Sequence, residues 1–277
     1  MQTLCMTIGV FDSGFGGLSI LKYLVGCMPD YSYIYLGDNA RAPYGDRSEE
    51  LIYEFTRQGV EFLFQKDCAL VLLACNTASA QALRRLQQEW LPLHYPDRRI
   101  LGVIIPVVEK LSTCAQGSVV GIIGTRATIM SNVYALEAQK RGAEHIHLIQ
   151  KACPLLVPII EEGWDKTIIA RKAAKKYLTP FKRSRIDALV LACTHYALMK
   201  KTIQGIMGAR VRIFEAGPIV AASLKRYLAR HADMEAALDR KSSVMAYTTD
   251  PCRKFQELVI RFWQKPLELM PTKIDHL

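Results

Sequence analysis

The chain alternates short apolar runs with longer amphipathic stretches along most of its length. Runs rich in Val, Ile and Leu predict strands at 7–11, 31–37, 69–74, 99–104, 119–124, 146–150, 188–192, 211–214 and 244–249. Amphipathic stretches predict helices, among them 48–65, 77–89, 126–141, 164–178 and 252–264. Unbroken aliphatic strands with helical crossovers are typical of parallel sheets covered on both faces. The pattern therefore predicts an α/β protein.

Two pairs of segments repeat in the same order along the chain. "LVLLACNTASA" at 70–80 resembles "LVLACTHYALM" at 189–199, and "IGVFDSG" at 8–14 resembles "VGIIGTR" at 120–126. A single similarity between apolar strands is weak evidence of a repeat, but two similarities in the same order indicate an internal duplication. We expect two pseudo-symmetric lobes, each a mainly parallel sheet flanked by helices.

The duplication also predicts where the lobes begin and end. We expect the first lobe to contain 1–98 and 211–277, and the second to contain 99–210. Ligands of open α/β sheets bind at the carboxyl ends of the strands, and both Cys75 and Cys193 follow a predicted strand directly. The sequence therefore predicts an active site in the cleft between the lobes.

Composition narrows the class of protein. Of 277 residues, 50% are hydrophobic and 22% are charged, as in ordinary globular proteins. The N-terminal stretch has no basic region of the kind that opens a signal peptide, and the longest apolar runs are far below the ~18 residues of a membrane span. The eight cysteines include no C-x-x-C pair and no zinc spacing. We expect a cytoplasmic protein with reduced thiols, no membrane contact and no metal.

The net charge is +10, and it is most concentrated in the basic stretch 171–185, which has seven basic residues and no acidic one. The favoured interpretation is the solvated face of a surface helix and its exit loop. A nucleic-acid patch is the alternative, but the stretch lacks the interleaved aromatic residues and folded motifs of such surfaces.

Cys75 and Cys193 form the clearest chemical pattern. Each ends a strand, and each is followed by a threonine within two positions. A thiol at a helix N-terminus or beside a histidine is expected to have a lowered pKa. If a pseudo-twofold relates the lobes, the two thiols face each other across one ligand. That arrangement suits inversion of a stereocentre, in which like groups exchange roles, whereas a hydrolase needs an unlike nucleophile and base.

Further candidates lie at other predicted strand ends. Asp12 and Ser13 follow the first strand, in a glycine-rich segment that matches no nucleotide-binding motif. Tyr44 and Gly45 belong to the loop 37–48, which is either a simple turn or part of the cleft wall. His195 is either a core histidine or a group that holds or shuttles a proton beside Cys193.

These segments resemble a known family, the cofactor-independent glutamate racemases of the aspartate/glutamate racemase superfamily. Six ordered motifs carry the resemblance: "IGVFDSGFGGLSIL" (8–21), "YIYLGDNARAPYG" (33–45), "LACNTASA" (73–80), "VGIIGTRATIMSNVY" (120–134), "ACPLLVPIIEEG" (152–163) and "LACTHYALM" (191–199). The resemblance implies a two-lobed α/β fold, no metal, no pyridoxal phosphate or other cofactor, and interconversion of L- and D-glutamate. It also implies a role in supplying D-glutamate for peptidoglycan synthesis.

The resemblance also assigns roles to residues. Cys75 and Cys193 match the two catalytic bases, and Asp12 and His195 match the residues that assist them. Contacts to the substrate are implied for Asp12, Ser13, Tyr44, Gly45, Asn76, Thr77, Thr194 and His195. A further acidic residue near the second thiol is either Glu161 or Glu162, and the sequence does not choose between them.

Two alternatives remain beside glutamate racemisation. The first is racemisation of another small acid, such as aspartate, within the same superfamily. The second is a binding or regulatory role that uses the basic stretch. The predicted partners are the small-molecule substrate and a second copy of the chain in a homodimer, and the pattern does not favour nucleic acid.

Overall fold

The computed structural model describes residues 6–251 and 253–274, with the backbone alone at 253–255. Within these residues the strands are β1 (Thr7–Asp12), β2 (Tyr33–Gly37), β3 (Cys68–Leu73), β4 (Arg99–Gly102), β5 (Val119–Gly124), β6 (His147–Ala152), β7 (Ala188–Ala192), β8 (Arg212–Glu215), β9 (Val244–Thr248) and β10 (Leu269–Pro271). All their pairings are parallel. Nine of these strands lie at predicted positions, and the sequence pattern does not predict β10.

The strands form two sheets with a common internal order. One sheet is ordered β10-β9-β2-β1-β3-β4 and the other β6-β5-β7-β8. In both, the first strand of the repeat lies between the second and the third, and the fourth follows the third. The predicted α/β class with two pseudo-symmetric lobes is confirmed.

Helices cover the faces of both sheets. They are α1 (Leu18–Cys27), α2 (Glu49–Gln65), α3 (Asn76–Gln81), α4 (Leu83–Arg85), α5 (Leu91–His94), α6 (Ile104–Leu111), α7 (Arg126–Met130), α8 (Val133–Lys140), α9 (Leu156–Glu161), α10 (Ile168–Arg183), α11 (Lys200–Met207), α12 (Ala216–Arg230), α13 (Ala232–Ala236) and α14 (Arg253–Trp263). Three 3₁₀ turns lie at Asn39–Arg41, Tyr44–Asp46 and Thr194–Met199, and a π-turn lies at Leu86–Trp90.

The predicted lobe boundaries at 98/99 and 210/211 each place one strand in the wrong lobe. β4 pairs with β3 from Leu70↔Arg99 onward, so it belongs to the first sheet. β8 pairs with β7 from Ala188↔Arg212 onward, so it belongs to the second. The chain returns to the first lobe at α12, which packs on α1. Apolar patterning locates a strand but does not say which neighbour supplies its hydrogen bonds.

Two predicted helices are interrupted. The helix predicted at 77–89 is divided into α3, α4 and the π-turn. The helix predicted at 126–141 is broken between α7 and α8, where Asn132 adopts the left-handed conformation with φ 53°. Asparagine tolerates that conformation better than most residues do.

The basic stretch lies on α10 and on the two residues that follow it, as the interpretation of a surface helix and its exit loop predicts. Ala170, Ala174, Leu178 and Phe181 form its buried face, while the seven basic side chains are exposed. The helix continues beyond its predicted end at 178 and through Pro180, because the apolar stripe continues to Phe181. None of the described helices is both long and apolar enough to cross a membrane.

Candidate active site between the two lobes

The carboxyl ends of β1 and β3 from the first lobe and of β5 and β7 from the second meet at one cavity of about 570 Å³. Its wall includes nine of the predicted residues: Ser13, Tyr44, Gly45, Asn76, Thr77, Cys75, Cys193, Thr194 and His195. Asp12 is fully buried and is not part of the wall. The structure therefore brings nine predicted residues to one cavity, and Asp12 lies directly behind them.

Cys75 is the N-cap of α3 and is buried. Its Sγ lies 3.3 Å from the Ser13 hydroxyl and accepts a hydrogen bond from the Ala78 N–H at 3.5 Å. Burial, with the nearby charge of Asp12 adding to it, raises the pKa of this thiol to about 12. The expectation of a lowered pKa is therefore wrong for Cys75. The desolvation of the thiolate outweighs the hydrogen bonds that two donors supply.

Cys193 follows β7, the strand equivalent to β3 in the second lobe. A histidine and a carboxylate are aligned behind it. The His195 Nδ1 lies 4.0 Å from the Cys193 sulfur, and its Nε2 lies 3.0 Å from Glu161 Oε1. The geometry thus selects Glu161, rather than Glu162, as the acidic residue of this half. Burial by itself lowers the pKa of His195. The hydrogen bonds and charges of Cys193 and Glu161 outweigh burial and raise the pKa to about 10.

The raised pKa of His195 makes the stability of the fold depend on pH. The folded chain holds the His195 proton more tightly than the unfolded chain, whose histidines titrate near 6.5. The stabilisation is fully present below about 6.5 and is lost as pH rises through about 10. We therefore expect the free energy of unfolding of the wild type to fall, relative to that of His195→Gln, as the pH rises. Urea unfolding of both proteins at pH values of about 6, 8 and 10 would measure this difference. A constant difference between the two proteins would contradict the tight proton binding.

Asp12 connects the two lobes beneath the cavity. Its Oδ2 accepts the Gly14 N–H at 3.1 Å, and its Oδ1 accepts the Thr194 hydroxyl, from the other lobe, at 3.5 Å. Burial raises the pKa of Asp12, although the His195 charge opposes the shift. Asp12 is therefore placed to orient Thr194 and to influence Cys75 electrostatically, without lining the cavity itself.

Asn76 presents an unpaired donor at the cavity. Its Oδ1 accepts the Tyr134 hydroxyl at 2.8 Å, while its buried Nδ2 has no hydrogen-bond partner in the described part of the chain. A buried donor without a partner costs free energy, and an acceptor on a ligand would remove that cost. Asn76 is thus suited to bind an anionic group.

We expect Asn76→Ala to raise the KM for the substrate about tenfold or more, because one hydrogen bond to a charged group is lost. The kcat should change less, because the substitution leaves both cysteines of the cavity wall in place. Steady-state kinetics would measure both constants. Gln150→Ala is the matched control, since Gln150 Oε1 is also buried without a partner but lies outside the cavity. An unchanged KM in Asn76→Ala would remove Asn76 from the binding site.

Hydroxyl groups from both lobes meet beside Asn76. The Thr77 hydroxyl lies 2.9 Å from that of Thr125 and 3.3 Å from that of Thr128, both in the second lobe. Thr77 and Thr125 both line the cavity. This cluster supplies polar groups that can turn toward a ligand carboxylate.

Tyr44 and Gly45 belong to the cavity wall, so the loop 37–48 is more than a turn. The Tyr44 hydroxyl donates to Asp38 Oδ2. The ring of Tyr44, rather than its hydroxyl, is therefore available to shape the cavity. A Cβ on Gly45 would lie 2.8 Å from the Thr125 Cβ. Glycine is needed here because the two lobes approach each other at this point.

The cavity wall also contains residues that sequence reasoning missed. Thr125 and Arg126 line it, and Arg126 Nε pairs at 3.1 Å with Oδ1 of Asp46, another residue of the wall. Thr125 could have been found from the repeat, because it occupies in "VGIIGTR" the position that Ser13 occupies in "IGVFDSG". The Arg126–Asp46 pair gave no sequence signal.

The described wall has few side chains that could hold a metal ion or pyridoxal phosphate. In residues 6–251 and 253–274, no group of three or more His, Cys, Asp or Glu side chains is arranged to hold a metal ion. No lysine lines the cavity within that range, although pyridoxal phosphate is held by lysine as a Schiff base. The chemistry that this wall supports is that of thiols, hydroxyls, one imidazole and carboxylates.

Known proteins resemble the chain over most of its length. Residues 19–224 match the Asp/Glu/hydantoin racemase family. The glutamate racemase of Aquifex aeolicus is 37% identical over 254 residues, 92% of each chain. That of Geobacter metallireducens is 41% identical over 209 residues, 76% of this chain and 75% of the other. The crystal structure of Francisella tularensis glutamate racemase with D-glutamate superposes with a TM-score of 0.87 at 33% identity, covering 98% of both chains.

The fold, the motifs and the relatives lead to one conclusion. Two parallel sheets of common strand order enclose one cavity, and the repeated Cys motifs lie at equivalent strand ends. The family match covers well over half of the chain. The chain belongs to the Asp/Glu/hydantoin racemase family and is an isomerase, a racemase of that family.

Proposed function

We propose that the chain interconverts L- and D-glutamate by transferring a proton between two cysteines. The observation that carries this proposal is the presence of Cys75 and Cys193, one from each lobe, at equivalent repeat positions on one cavity. The named relatives support glutamate as the substrate.

In the proposed step, one thiolate removes the proton from the α-carbon, and its sulfur becomes a thiol. The other thiol gives its proton to the opposite face of that carbon and becomes a thiolate. Atoms and charge balance within the pair, and the configuration of the α-carbon is inverted. The reverse reaction exchanges the two roles, which is why two like groups suit this chemistry.

The Cys193 and Cys75 thiolates are proposed to be stabilised by different groups. Cys193 has His195 and Glu161 behind it, and a protonated imidazole stabilises a neighbouring thiolate. Cys75 has Ser13 and the buried Asp12 near it, and its pKa of about 12 keeps it a thiol at neutral pH. The ammonium group of a bound amino acid brings a positive charge that lowers this pKa and makes the Cys75 thiolate accessible.

The carboxylates of glutamate are proposed to bind polar groups of the wall. Asn76 supplies its unpaired Nδ2, and the Thr77 and Thr194 hydroxyls also belong to the wall. We further propose that Ser13, Asp12 and the Tyr44–Gly45 backbone define the ammonium side of the pocket. Hydrogen bonds to a charged group are worth about 1.5–3 kcal/mol each, so a few of them can orient the α-carbon between the sulfurs.

The test is to incubate the purified protein with L-glutamate in deuterated water without added cofactor. The expected result is D-glutamate that carries deuterium at the α-carbon, measured by chiral chromatography and mass spectrometry. A parallel panel of L-amino acids that includes aspartate tests the alternative substrate. Inversion of aspartate but not glutamate would overturn the proposed substrate, and no inversion of any member would overturn the function.

We also propose where this activity is used. D-glutamate made by the chain would feed peptidoglycan synthesis in the cytoplasm, and the active form would be a homodimer. The described cysteines, Cys27, Cys68, Cys75, Cys114, Cys153 and Cys193, are all free, which accords with a reducing compartment, while Cys5 and Cys252 lie outside the described residues. Light scattering of the purified protein would measure its oligomeric state.

A further inference from the structure

The last turn of α14 contacts the second half of the site from outside the cavity. Phe262 is buried, and its ring meets the His195 imidazole edge to face, with centroids 5.4 Å apart and planes at 81°. Arg261 precedes it and reaches the end of α9. Neither residue lines the active cavity. Any effect of α14 on the reaction must therefore pass through residues that do.

Arg261 joins the two ends of the turn at 160–165. Its Nη1 donates to the Ile160 carbonyl at 2.6 Å, and its Nη2 donates to Asp165 Oδ1. The carbonyls at the end of a helix carry negative partial charge, so a guanidinium is favourable beside α9. The Asp165 side chain is only 6% exposed, and Arg261 supplies the opposite charge that its burial requires.

The turn held by Arg261 contains Glu161. This residue ends α9 and directly follows Ile160, whose carbonyl Arg261 binds. The Glu161 side chain is 32% exposed, so packing alone does not fix it. Its Oε1 lies 3.0 Å from the His195 Nε2. The contacts of Arg261 with Ile160 and Asp165 define the backbone position from which the Glu161 side chain extends. A small displacement of this turn would lengthen the Glu161–His195 hydrogen bond.

We propose that Arg261 is a positioning residue for the second half of the site. By binding Ile160 and Asp165 it keeps Glu161 within hydrogen-bond distance of His195, the histidine beside Cys193. Its catalytic consequence rests on the proposed two-thiol racemisation of glutamate, whereas its effect on His195 does not.

Three variants test this role. Arg261→Met removes both hydrogen bonds, and Arg261→Lys keeps the charge but cannot form the same two-pronged contact. Arg85→Met is the control, since Arg85 pairs with Glu50 and Glu89 on the surface of the first lobe. We expect Arg261→Met to lower kcat about tenfold, with KM changed less than about threefold, because residues that orient a catalytic group act at this scale. Arg261→Lys should lie between the wild type and Arg261→Met, and Arg85→Met should equal the wild type.

The second readout is the titration of His195 by nitrogen-15 NMR without substrate, with His195→Gln used to assign the signal. We expect the pKa of His195 in Arg261→Met to fall by about one unit or more, because the Glu161 carboxylate moves away. A wild-type kcat in Arg261→Met would overturn the inference. A lower kcat with an unchanged His195 pKa would also overturn it, since that result describes a purely structural contact.

If Arg261→Met does not fold, Arg261→Lys decides alone. A lowered kcat and a lowered His195 pKa would support the role, and wild-type values of both would overturn it. A wild-type chain that fails to racemise glutamate would sink the proposed function, but the NMR titration would still decide whether Arg261 positions the Glu161–His195 pair.

Discussion

Replacing either Cys75 or Cys193 by alanine is expected to abolish racemisation of glutamate, with a loss of about a thousandfold or more in kcat. In the proposed mechanism each thiol is the acid for one direction and the base for the other, so one remaining thiol would not complete an inversion. Polarimetry or chiral chromatography of the purified variants would measure the loss.

Two observations accompany this prediction. Cys27→Ala is the control, because Cys27 is a free cysteine of α1 that does not line the cavity. Each catalytic variant should still exchange the α-proton of one enantiomer with deuterium from solvent, because its remaining thiolate can remove and return a proton on one face. Full activity in either Cys75→Ala or Cys193→Ala would overturn the two-thiol mechanism.

Gly16→Ala is expected to lower kcat about a hundredfold although Gly16 is not on the cavity wall. A Cβ at this position would lie 2.3 Å from the Thr194 Oγ1 and 2.7 Å from the His195 Nδ1. Both atoms belong to the second lobe, in the turn that follows Cys193. The added methyl group must push this turn away from the first lobe, which displaces His195 from its place beside the thiol. Steady-state kinetics would show a change mainly in kcat.

The same substitution should also destabilise the fold by about 1–3 kcal/mol, as other overpacked contacts do. Gly26→Ala is the matched control, since a Cβ there meets nothing within 4 Å. Urea unfolding would measure the stability of both variants. A Gly16→Ala enzyme with wild-type kcat and wild-type stability would contradict the tight contact between the lobes.

Much of the site was predictable because the duplication marks it twice. Cys75 and Cys193 stand out when the two segments are compared, although each alone resembles a buried core cysteine. The same comparison aligns Thr125 with Ser13, but the alignment alone does not show that the Thr125 hydroxyl lies on the cavity wall. Glu161 and Glu162 could not be separated, since neighbours on a helix end differ only in direction.

The amino-acid sequence is enough to predict the α/β class, the duplication, the positions of nine strands and the two strand-end cysteines. These are local properties, because apolar runs and their period reflect burial of neighbouring side chains. The tertiary structure decided everything that depends on contacts between distant segments: the sheet to which β4 and β8 belong, the raised pKa of Cys75 and the alignment of Glu161 with His195. Each of these depends on which groups surround a residue in space. Burial and the charges of those neighbours then set the pKa of a titratable side chain.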